Sequence, residues 1–149
     1  MIEIQPRQRI DATVSVPGSK SYTNRALLAA ALAEGCSVLH FVLHSDDTRY
    51  MMEALDRLGI RVTDEGDCVR VAGAGGSIPA TRAELFVGNA GTAMRFLTAM
   101  LTLGRGTYVL DGTARMRQRP IDDLLEGLAQ MGAEARSVLD NGCPPVEVK

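Results

Sequence analysis

Hydrophobic positions recur along this chain with two spacings, and the switches between them divide it into short elements. Ala12 to Val16 reads as a strand, and Ser21 to Ala33 has the Ala- and Leu-rich composition of a buried helix. Ser37 to Val42 is a second strand. Ser45 is the predicted N-cap, with Asp46 and Asp47 in the first turn, of a helix to Leu58 striped by Met51, Met52, Leu55 and Leu58. Gly59 ends it, and strands follow near Arg61 to Thr63 and Val69 to Ala72. After the glycine-rich link Gly73 to Gly76 the order repeats. Leu85 to Val87 is a strand, Thr92 to Leu103 a helix and Thr107 to Leu110 a strand. Pro120 fits the first turn of a helix reaching Met131, with Leu124, Leu125 and Leu128 on one face. Gly132 ends that helix, and strands near Glu134 to Val138 and Val146 to Val148 close the copy.

The repeated unit is βαβαββ, over 11–72 and again over 84–149. Gly18 and Gly91 stand 73 residues apart, as do Gly59 and Gly132. Glycines after helices are common in any α/β protein, so the shared offset carries more weight than either pair alone.

Composition narrows the function classes. With 46% hydrophobic and 23% charged residues, the chain of 149 reads as globular, large enough for a core. A net charge of −2 gives no global attraction to nucleic acid or an anionic membrane, so affinity for anions must be built locally. Cys36, Cys68 and Cys143 are scattered and odd in number, and His40 and His44 have no cysteine at ligand spacing. Reduced thiols in a cytoplasmic protein are expected, with no disulfide framework and no zinc site. The longest apolar run, Ala26 to Ala33, is too short to span a bilayer. Glu3, Arg7, Arg9 and Asp11 precede no apolar stretch of the signal-peptide kind, so the start reads as that of a mature soluble protein. The histidines, the cysteines and Met51, Met52, Met94 and Met100 are read as packing or surface residues.

The positive charges are grouped. In each copy the first strand leads into a helix through a glycine-containing turn, Pro17-Gly18-Ser19-Lys20-Ser21 and Gly88-Asn89-Ala90-Gly91-Thr92. Such a turn presents unpaired N–H groups and the positive end of the helix dipole, and small residues let an anion come close. Lys20 adds a point charge, Ser21 and Thr92 add hydroxyls, and Arg25 and Arg95 follow one turn on. A third group is Arg115, Arg117 and Arg119, which share one side if the segment is extended. A glycine turn can equally be only a turn, and the arginines a solvated loop. Neither a Walker loop nor a G-x-G-x-x-G site fits, because Ser19 intervenes before Lys20 and Gly88 to Gly91 has the wrong spacing. The residues by themselves thus predict a surface for a multiply anionic small molecule.

Four motifs go further. Val16-Pro17-Gly18-Ser19-Lys20-Ser21-Tyr22-Thr23-Asn24-Arg25, Ser45-Asp46-Asp47-Thr48, Gly88-Asn89-Ala90-Gly91-Thr92-Ala93-Met94-Arg95 and Asp111-Gly112 followed by Arg115-Met116-Arg117-Gln118-Arg119-Pro120-Ile121 resemble, in order, signatures of the EPSP synthase family. The resemblance implies an inside-out α/β barrel of enolpyruvyl transferases, with two of the three units of one domain within 1–149. It implies transfer of the enolpyruvyl group of phosphoenolpyruvate to the 5-hydroxyl of shikimate 3-phosphate through a tetrahedral ketal, releasing phosphate, in aromatic amino acid biosynthesis. No metal or organic cofactor is implied. Lys20, Ser21 and Arg25 would hold shikimate 3-phosphate. Lys20, Asn89, Gly91, Thr92 and Arg119 would hold phosphoenolpyruvate, with Gly91 letting it approach the backbone and Asp47 and Arg95 in support.

Two departures matter. The family motif continues A-M-R-P-L, whereas Phe96 stands at the proline position, a change that bears on the Gly91-Thr92 loop and on sensitivity to the herbicide glyphosate. Family members are also roughly three times this length, as two-domain proteins of that kind are. The aspartate and glutamate that move protons would lie beyond these residues. The expected object is therefore an enzyme fragment without its catalytic acids and without turnover alone, whose partner is the remainder of its own polypeptide. The full-length enzyme is expected to be a monomer without nucleic-acid or membrane partners. Alternatives are a UDP-N-acetylglucosamine enolpyruvyl transferase, whose first helix opens with a different G-A-K-N-A turn, and a non-catalytic anion-binding module.

Overall fold

Lys20–Leu32 forms the first helix, α1, and the reason lies in its ends and its composition. Ser19 caps it, its hydroxyl accepting from the N–H of Tyr22, and a run of Ala and Leu without Gly or Pro carries it forward. The computed structural model describes residues 3, 5, 6 and 8–149; Arg7 lies outside the described residues. β1 (Glu34–His40), α2 (Asp46–Arg57), β2 (Val62–Asp64) and β3 (Cys68–Ala74) complete the first half. The second contains β4 (Arg82–Phe86), α3 (Gly91–Leu101), β5 (Thr107–Asp111), a 3₁₀ turn (Met116–Gln118), α4 (Asp122–Gln130), β6 (Ala135–Ser137) and β7 (Val146–Val148).

The first sheet runs β1-β3-β2, antiparallel throughout. The second runs β4-β5-β7-β6, with β4 parallel to β5 and the other pairs antiparallel. Helix α3 lies at the centre of the core, whereas α2 and α4 each keep an exposed face. α3 buries Ala93, Met94, Leu97, Thr98, Met100 and Leu101, so it is enclosed nearly all round, while β1 shows mostly exposed residues. Leu27 and Ala31 of α1 and Met51 and Leu55 of α2 join α3 in one core with Val69, Val71, Tyr108 and Leu110. Among the described residues no helix is long and apolar enough to cross a membrane.

Helix α2 matches its sequence signals closely. Met51, Leu55 and Leu58 are fully buried and Met52 is half-buried. Gly59 and Gly132 both take positive φ, and each is followed by a residue whose N–H returns to the carbonyl five positions back, Ile60 to Leu55 and Ala133 to Leu128. This landmark keeps the 73-residue offset. The other does not, because Gly18 precedes the cap of α1 whereas Gly91 is the first residue of α3.

Three local expectations are corrected. Residues 12–16 form no strand: they are exposed, and the place beside β1 that β4 fills beside β5 is taken by no described residue. Strand geometry is completed by a ladder partner, which alternation alone does not supply. Pro120 stands before the cap of α4 rather than in its first turn, because Ile121 is the cap, tied by its N–H to the carbonyl of Gly142 at 2.9 Å. Arg115, Arg117 and Arg119 do not share a side, since the 3₁₀ turn between them rotates successive side chains by about 120°.

Candidate anion-binding site

Gly18 brings the start of α1 against the chain leading into α2. A Cβ there would collide with the carbonyl oxygen of Phe41, so only glycine permits the approach. Thr23, buried one turn into α1, accepts the N–H of Leu43 at 3.1 Å. Thr48, fully buried at the start of α2, donates to the carbonyl of Leu43 at 2.7 Å and accepts the N–H of Ser45 at 2.9 Å. Ser45 and Thr48 thus form a capping box with threonine in place of the usual Glu or Gln. This box holds Asp47 toward α1, where its Oδ2 lies 3.0 Å from Lys20 Nζ. Replacing Thr48 with valine, of the same shape, is expected to lower stability by about 1–3 kcal/mol, because it strands buried backbone partners. Urea unfolding of the two proteins checks this.

The second cluster lies at α3. Its N-cap, Ala90, offers no side-chain bond, so the first-turn N–H groups of the helix have no side-chain cap. The guanidinium of Arg119 occupies the space beside Gly91, so closely that a Cβ there would collide with it, and donates to the carbonyl of Asn89 at 3.2 Å. Asn89 is exposed and Thr92 half-buried at this end. Arg95 points to the same segment: its Nη2 donates to the carbonyl of Pro120 at 2.7 Å, pinning the residue after Arg119.

The clusters share one end of the helical core. Lys20 meets Asp47 across α1 and α2, and Tyr50, one turn further along α2, packs against Gly88 beside Asn89. Arg25 lies with Cζ 5.3 Å from the ring centroid of Phe96, joining α1 to α3. Each contact joins residues in or just before the first two turns of a helix, so three helix starts converge. Ser21 is exposed there beside Lys20. Of the arginine group only Arg119 enters the site.

Arg117 serves to hold that loop. It donates through Nε to Asp111 Oδ1 at 2.9 Å and again through Nη2 to Oδ2. This pairing, seconded by the N–H of Gly112, keeps the Asp111 carboxyl below the usual carboxylate range against the opposing effect of burial. A depressed folded value means that the stabilisation is fully present above about pH 4 and is lost as pH falls through the folded value. The stability gap between wild type and Asp111→Asn should therefore narrow as pH is lowered from about 5 to about 2 in urea titrations.

Among the described residues no three His, Cys, Asp or Glu side chains gather as a metal site. None of the three cysteines is in a disulfide. Tyr50 is the site-building residue that sequence reading passes over; Thr23, Thr48 and Asp111 stand inside the motifs but are given no role there, and Thr48 also lies three positions after a serine cap.

The family model for EPSP synthase (3-phosphoshikimate 1-carboxyvinyltransferase) matches residues 4–149. A 3-phosphoshikimate 1-carboxyvinyltransferase of Thiobacillus denitrificans is 53% identical over 148 residues, 99% of this chain and 35% of that protein. The chloroplastic protein of the same description from Arabidopsis thaliana is 49% identical over 156 residues, 99% of this chain and 30% of that protein. Among solved structures, EPSP synthase of Acinetobacter baumannii superposes with a TM-score of 0.85 at 30% identity, covering 91% of this chain and 31% of its own. The chain thus spans about a third of the length of the relatives it matches. With the motifs and the match agreeing along nearly its whole length, the chain belongs to the EPSP synthase family.

Proposed function

We propose that this chain supplies part of the substrate site of an enzyme that moves the enolpyruvyl group of phosphoenolpyruvate onto the 5-hydroxyl of shikimate 3-phosphate. One observation carries the reading: a guanidinium, Arg119, is laid against the uncapped positive end of α3. Two positive features side by side repel one another, and an anion between them turns that repulsion into attraction. Phosphoenolpyruvate has a carboxylate and a phosphate to offer. In this reading Asn89, Gly91, Thr92 and Arg119 take that ligand, while Ser21 and Arg25 take shikimate 3-phosphate and Lys20 touches both. Asp47 orients Lys20, and Arg95 steadies the Arg119 segment.

Binding two anions side by side on preformed donors offsets their mutual repulsion and brings the hydroxyl to the reacting carbon, an effect of proximity. The same cations stabilise the phosphate as its bond to that carbon breaks. Asp47 and Asp111 are both held in ion pairs. We assign proton transfer, as the resemblance implies, to acids outside these residues, and the 149-residue chain is expected to release no phosphate from the two substrates. We place the enzyme in the cytoplasm, with Cys36, Cys68 and Cys143 as thiols.

Titrating the chain with shikimate 3-phosphate, and separately with UDP-N-acetylglucosamine, tests the assignment by amide NMR. Shikimate 3-phosphate should move the resonances of Lys20, Ser21 and Arg25. Movement of the same resonances by the sugar nucleotide alone would transfer the assignment to the cell-wall enzyme. Silence with both would leave a non-catalytic module, and phosphate release by the chain alone would refute the division of labour.

A further inference from the structure

Phe96 stands in the second turn of α3, half-buried and packed against the core, so its position is set by the helix interior. Arg25 stands in the second turn of α1 and is exposed. Yet its Cζ lies 5.3 Å from the centroid of the Phe96 ring, within the range of a cation–π contact. Its Nη1 also donates to the carbonyl of Ser21, one turn back, at 3.0 Å. A guanidinium held over an aromatic ring still has N–H groups to offer as donors beyond the one given to Ser21.

We propose that Phe96 is a positioning residue for Arg25. Its ring holds the guanidinium between α1 and α3, with the donor edge oriented to receive a phosphate monoester. The benefit is preorganisation: an exposed arginine loses rotamer freedom when it binds a ligand, and one already seated on a ring has less to lose. A proline at this position offers no aromatic face, so the device belongs to this chain rather than to the A-M-R-P-L pattern. The proposal rests on the assignment of Arg25 to shikimate 3-phosphate, and it identifies Phe96 as the residue that tunes affinity for that ligand selectively.

The test uses the whole 149-residue chain with Phe96→Leu and Phe96→Tyr. Phe96→Leu keeps the apolar bulk and removes the face, and it should weaken shikimate 3-phosphate binding about 3- to 10-fold by calorimetry. Phosphoenolpyruvate binding should stay within about twofold, because Arg119 is untouched. Phe96→Tyr keeps the face and should restore wild-type affinity. In an Arg25→Ala background Phe96→Leu should have no further effect. Arg25 side-chain protons should show a ring-current shift that vanishes in Phe96→Leu and persists in Phe96→Tyr. Equal weakening of both ligands, or the same loss without Arg25, would reduce Phe96 to a packing residue and overturn the proposal. Should the wild-type chain take no shikimate 3-phosphate, the substrate assignment falls. The ring-current shift then decides the contact by itself, and Arg25 resonances that are indifferent to Phe96→Leu refute it.

Discussion

Lys20→Met should weaken the binding of shikimate 3-phosphate and of phosphoenolpyruvate by about 10- to 100-fold each. A hydrogen bond to a charged group contributes roughly 1.5–3 kcal/mol, and about 1.4 kcal/mol is a factor of ten. The loss has a second source. Asp47 Oδ2 lies 3.0 Å from Lys20 Nζ, and its side chain is only 25% exposed. Without the ammonium a partly buried carboxylate faces the proposed anion site, where it would repel the ligands. The double change Lys20→Met with Asp47→Asn should therefore bind more tightly than Lys20→Met alone. Raising the salt concentration should narrow that difference, because the repulsion is screened while the lost hydrogen bond is not. Calorimetric titration of the four proteins at two ionic strengths makes the comparison. A Lys20→Met chain that binds both ligands within about twofold of wild type would remove Lys20 from the site.

What can be read in the sequence differs from element to element for physical reasons. Helix α2 is legible from end to end because its information is local: a serine cap, two acids in the first turn, an apolar stripe and a glycine stop. The start of α3 is legible to within one residue. Residues 12–16 have the composition of a strand, but a strand exists through its ladder, and the partner lies outside what alternation specifies. The arginine group fails for a related reason. Its spacing predicts a common side only if the backbone is extended, and the pairing of Arg117 with Asp111 accompanies a 3₁₀ turn instead. The candidate site is legible as a set of residues and opaque as a geometry. Lys20, Gly91 and Arg119 can be picked out by type and motif. That Arg119 fills the space beside Gly91, that Tyr50 supports Gly88, and that Phe96 carries Arg25 all depend on helix packing across tens of residues, where no local rule reaches.

Gly91→Ala separates two explanations of why a glycine opens α3. In one, the absent side chain leaves room for the ligand to reach the backbone. In the other, it leaves room for Arg119, whose guanidinium a Cβ at this position would strike. The colliding atoms are the far end of a flexible side chain, so the fold can yield by swinging Arg119 away. Alanine is also favoured over glycine within a helix by up to about 1 kcal/mol, so the variant should be as stable as wild type or slightly more stable. Binding should move the opposite way. Losing a charge-assisted arginine contact should weaken phosphoenolpyruvate by about 10- to 100-fold, while shikimate 3-phosphate, which the proposed assignment places on α1, should change little. The cycle with Arg119→Ala decides between the two accounts. If Gly91 acts through Arg119, Arg119→Ala reproduces the loss, and adding Gly91→Ala to it costs nothing more. If the methyl group meets the ligand directly, the two losses accumulate, and the glycine is then a feature of the ligand's path rather than a seat for the arginine that meets it.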